Sequence, residues 1–96
     1  MEIGKSDVIL SAAGRDKGKA FFVIDADERF VTIADGKSRK LEKPKRKKKI
    51  HIRFLAKSGC RVGEKLRTGE KVQNSEIRRA LLAYAGEEPG QTQGGL

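Results

Sequence analysis

The chain reads as a mainly β protein: a small antiparallel barrel of short strands followed by one C-terminal α-helix. Three observations predict this. Apolar runs rich in β-branched and aromatic residues recur at short intervals through the first half, bounded by Gly, Asp and Ser. No helical pattern lies between them, which argues against parallel strand–helix–strand units and for a sheet curled on itself. Helical spacing of apolar residues enters only after Asn74.

Val8-Ile9-Leu10 forms the first expected strand, and Ala12 to Lys19 a polar loop with two glycines. Ala20 to Ile24 and Phe30 to Ala34 follow as strands, separated by an acidic turn at Asp25 to Arg29, and the second stops at Asp35-Gly36, a tight-turn signal. Phe21 and Phe22 are adjacent, so a regular strand turns one of them outward. Arg39 to Leu41 is a candidate short strand, while Pro44 belongs at a sheet edge or outside the ladder. In Ile50-His51-Ile52-Arg53-Phe54, alternation places Ile50, Ile52 and Phe54 inside and His51 and Arg53 in water. The barrel is thus expected over residues 1–56.

Residues 57–73 are charged and punctuated by Gly59, Gly63 and Gly69, which predicts a connecting loop or weak hairpin. Over 74–86, Asn74-Ser75-Glu76 supplies a cap and a first-turn acid, Ile77, Ala80, Leu81 and Tyr84 make one stripe, and Gly86 a stop. Such a helix is too short to stand alone, so its stripe must dock on the barrel or a partner. Residues 87–96 have the composition of a disordered tail.

The charge is concentrated. The 96 residues carry 22 Lys and Arg against 13 Asp and Glu, a formal +9. Lys37 to Arg53 holds ten bases and one acid, so this segment accounts for the whole excess and the rest is balanced. Such a segment calls for a polyanion. One Cys and one His are too few for a structural zinc site, and Cys60 has no partner for an intramolecular disulfide, which fits a reducing cytoplasmic setting. Neither a signal-peptide core nor an apolar run of about 20 residues is present, so no membrane role is expected.

Val8 to Ile24, a strand, then Gly14-Arg15-Asp16-Lys17-Gly18-Lys19, then a strand, resembles the KOW motif, with Gly18 at the family's hallmark glycine. The continuation through Asp35-Gly36 to Lys43-Pro44-Lys45-Arg46-Lys47 is similar to the small KOW ribosomal proteins of the archaeal and eukaryotic large subunit. The resemblance covers roughly the first half and ends near Ala56. It implies an SH3-like barrel that binds ribosomal RNA, with Arg15, Lys17 and Lys19 as loop contacts. KOW domains also occur in transcription elongation factors, so an adaptor making protein contacts through the 74–86 helix is the alternative.

To these loop residues the basic segment adds Arg39, Lys40, Lys43, Lys45, Arg46, Lys47, Lys48, Lys49 and Arg53 as candidate phosphate contacts. Cations of this density bind phosphates with steep salt dependence and little sequence preference. The five aromatics, Phe21, Phe22, Phe30, Phe54 and Tyr84, all lie in strand or helix patterns and read mostly as core, so shape and charge of a folded RNA are the expected target.

Other chemistries fit poorly. The Gly14 to Lys19 loop has a glycine interval too short for a P-loop, and Ala20 replaces the magnesium-binding hydroxyl. Asp25, Asp27 and Glu28 lack an EF-hand's ligand series. No triad, acid–base pair or metal cluster emerges. The expectation is a non-enzymatic, cofactor-free RNA binder, monomeric when free, with ribosomal RNA as its partner and ribosomal proteins as further candidates.

Overall fold

The computed structural model describes residues 3–58 and 60–85. They form β1 (Asp7–Ser11), β2 (Ala20–Ala26), β3 (Phe30–Ala34), β4 (Lys45–Lys48), β5 (Ile52–Lys57), α1 (Arg61–Thr68) and α2 (Asn74–Ala85), with a 3-10 turn, Lys49–His51, between β4 and β5. The strands make one antiparallel sheet in the order β4-β3-β2-β1-β5. No helix among the described residues is long and apolar enough to cross a membrane.

Both faces of the sheet are covered. Val8 and Phe22, paired in register, pack with Val62 and Leu66 of α1 and Ile77 and Leu81 of α2. On the opposite face Ile9, Phe21, Val23, Val31, Ile33 and Ile52 form a second buried cluster without any helix residue. This second cluster is built from residues of β1, β2, β3 and β5. Phe21 and Phe22 are therefore both fully buried, against the expectation that one faces outward; each stabilises the fold by about 1.5–3 kcal/mol.

Three further expectations are corrected. Residues 57–73 contain α1, not only a loop, so the fold has two helices. Val62 and Leu66, one turn apart, seat α1 on the sheet, Gly69 ends it with φ 81°, and Gly63 is buried within it against Ser58. Arg67 ties this helix down, its Nη1 donating to Ser6 Oγ at 3.0 Å and to the Ser58 carbonyl at 3.1 Å. Arg39 to Leu41 is not a strand; it lies in the connection before β4, where the Leu41 N–H donates to Asn74 Oδ1 at 2.8 Å. Ile50 is 80% exposed, because the 3-10 turn interrupts the alternation, which starts only at Ile52.

The C-terminal helix matches its expected start, but Asn74 does not cap it through its side chain as read. Asn74 instead holds the connection before β4, its Nδ2 also donating to Glu42 Oε1, while Glu76 accepts from the Gln73 N–H and from Lys65 Nζ of α1. Gly86 and the tail over 87–96 lie outside the described residues.

Candidate nucleic-acid interface

The β1–β2 loop is held by its own backbone hydrogen bonds. Gly18 donates to the Ser11 carbonyl at 2.8 Å and Lys19 to that of Asp16 at 3.0 Å, closing the loop on itself. Gly18 does so at φ 85°, where a side chain would be strained. Arg15, Lys17 and Lys19 are left exposed, whereas Asp16 between them is buried.

Asp16 is the hinge of the basic surface. Its Oδ2 accepts from Arg39 Nη2 at 3.0 Å and Nε at 3.3 Å. Burial pushes its carboxyl up, yet the Arg39 hydrogen bonds and the charges of Arg39, Lys19 and Lys45 outweigh that and hold it below the usual carboxylate range. One carboxylate thus gathers cations from the loop, from the connection before β4 and from β4 itself.

The basic run Lys45 to Lys48 is β4, an edge strand. Lys45 and Lys47 oppose Ile33 and Val31 and so lie on the inner face, where Lys47 reaches back to the β1–β2 loop and donates to the Ala13 carbonyl at 2.9 Å. Arg46 and Lys48 lie on the other face. There Arg46 sits 4.1 Å from the Phe30 ring centroid and donates to Asp27 Oδ2 at 3.0 Å. The Phe30 and Arg29 amides, then Arg46, hold the Asp27 carboxyl below its usual range. Charged side chains along such an edge also discourage pairing with another sheet.

The twelve candidate residues therefore divide. Arg15, Lys17, Lys19, Lys40, Lys43 and Lys48 are exposed and make no hydrogen bond or ion pair through their side chains among the described residues; Lys45 and Lys49 share that condition but are half-buried. Arg39, Arg46 and Lys47 are engaged in holding the surface together. Arg53 is exposed but stands on β5, at the other end of the strand order from β4. The sequence reading missed Arg78 and Arg79, which α2 sets beside Lys19 and Lys37 along one groove. The available signal was their position between the apolar stripe residues Ile77 and Ala80, on the flank of a docked helix.

Cys60 precedes α1, with its sulfur 3.0 Å from Ser58 Oγ. Burial raises the thiol pKa, but the Ser58 hydrogen bond and the amides of Gly63, Val62 and Cys60 bring it below the ordinary value. Among the described residues no His, Cys, Asp and Glu cluster is arranged to hold a metal ion. In comparison with known proteins, no family model and no curated protein sequence matches the chain.

Proposed function

We propose that this chain is a non-enzymatic, cytoplasmic RNA-binding protein with an SH3-like barrel of the KOW type, which clamps the phosphates of structured RNA, namely ribosomal RNA in the large subunit. The four-stranded antiparallel meander β1–β4, with β5 returning to pair with β1, supports the barrel. The observation that carries the function is the convergence on Asp16: a preformed basic loop and a basic edge strand, distant in sequence, make one cationic surface. Phosphates spaced along a folded RNA complement it, and the resulting affinity reflects counterion release more than base identity.

The test replaces Arg15, Lys17, Lys45, Lys48 and Lys49 together with Gln and leaves Arg39, Arg46 and Lys47 in place. Binding to ribosomal RNA fragments should weaken steeply, and the dependence of log K on log salt should flatten, with the thermal unfolding midpoint close to that of the unsubstituted chain. Unchanged affinity in a folded variant would refute the reading.

A further inference from the structure

A groove of about 720 Å³ runs between α2 and the β1–β2 and β3–β4 connections. Leu10 and Ala20, neighbours in register, and Leu81 and Tyr84 give it an apolar lining. Lys19, Lys37 and Arg79 stand exposed along it, and Arg78 is fixed there by donating to the Gly36 carbonyl at 2.6 Å. Its acidic lining residue, Asp35, already accepts from the Lys37 and Arg39 amides and the Ser38 hydroxyl. At the mouth Leu82 is 73% exposed.

An apolar slot beside four cations matches neither a plain phosphate site nor a plain hydrophobic pocket. A continuous duplex offers such a slot only phosphates and sugar, because its bases are stacked away. An unpaired nucleotide offers both parts: a flat ring face for the slot and flanking phosphates for the cations. The groove also shares Lys19 with the loop that carries Arg15 and Lys17, so it adjoins the basic surface.

We propose that this groove receives one unstacked nucleobase of the bound RNA, packed against Leu82, Tyr84 and the Arg79 guanidinium, with the adjacent phosphates on Lys19 and Lys37. The proposal rests on the RNA-binding reading above and deepens it. It makes the target an RNA helix interrupted by an unpaired nucleotide, and it supplies the selectivity that phosphate contacts lack.

Two RNA hairpins of identical stem, one with a single-nucleotide bulge, distinguish the possibilities when titrated against the full chain at one salt concentration. The bulged hairpin should bind about 10-fold more tightly, the scale of one base stack. Leu82→Asn and Arg79→Gln alter exposed side chains, so unfolding is not expected and circular dichroism checks it. Each should bring the ratio close to one, with Leu82→Asn leaving affinity for the continuous hairpin intact. Equal binding of both hairpins by the unsubstituted chain overturns the groove proposal alone. A ratio that survives both substitutions also overturns it and assigns the groove to another occupant, such as a protein segment. Binding to neither hairpin overturns the RNA-binding reading as well.

Discussion

Asp16 Oδ2 and Arg39 Nη2, 23 residues apart in the chain, meet at 3.0 Å. This ion pair joins the β1–β2 loop to the connection that leads into β4. Asp16 is buried while Arg39 keeps some contact with water, so the carboxylate depends on its partner more than the guanidinium does.

Asp16→Asn should therefore cost about 1–3 kcal/mol in urea denaturation. The folded-state pKa of Asp16 is depressed, so its contribution is fully present above the unfolded value, near 3.9 for a model Asp, and is lost as pH falls through the folded value. Stability measured from pH 6 down to pH 3 should fall less steeply in Asp16→Asn than in the unsubstituted chain. Parallel curves would show that the pairing does not lower the Asp16 pKa on folding.

Lys47 and Lys48 are neighbours with different roles, because β4 turns them to opposite faces. Lys48→Gln should lower the salt slope of RNA binding by about one and leave stability within about 0.5 kcal/mol. Lys47→Gln removes the hydrogen bond to the Ala13 carbonyl and should cost about 1 kcal/mol. Amide exchange in the β1–β2 loop should quicken for the second variant only, which is measurable by NMR.

Cys60 should react with iodoacetamide faster than the same thiol in the urea-unfolded chain, since its pKa lies below the ordinary value. Plotted against pH, the alkylation rate should reach half its plateau at a lower pH in the folded protein. Ser58→Ala should move that midpoint upward. A folded-state midpoint at or above the unfolded one would contradict the hydrogen-bonding assignment.

Gly63→Ala should destabilise the protein, although alanine is ordinarily better in a helix by about 1 kcal/mol. A Cβ at this position meets the Oγ and Cβ of Ser58, and forcing it in should give a net loss of about 1–3 kcal/mol. Ser58→Gly in the same chain should recover part of the loss, read as the urea midpoint. Stabilisation by Gly63→Ala alone would show that α1 can move away from Ser58.

Local pattern explains why α2 and most of the strands were legible. Turn residues bracket β1, β2 and β3, and Ile77, Ala80, Leu81 and Tyr84 keep helical spacing. Helix α1 was obscured because only Val62 and Leu66 mark its buried face and Gly63 looks like a breaker. That glycine is needed for contact with Ser58, 5 residues earlier, a requirement invisible in local propensity. Ile50 was misplaced for the converse reason: alternation describes a strand, and Lys49–His51 form a 3-10 turn, so the strand pattern begins only at Ile52.

The amino-acid sequence by itself determined that the chain has short antiparallel strands, a helix from Asn74 and a charge excess confined to Lys37 to Arg53. These follow from neighbour-scale properties: side-chain period, turn preference and the number of ionised groups. Only the tertiary structure decided which cations face outward and which hold the surface together. Asp16 selects Arg39, the Ala13 carbonyl selects Lys47, and Asp27 with Phe30 selects Arg46. Those choices depend on distances across the sheet between residues remote in the chain, and no local pattern of charge encodes them.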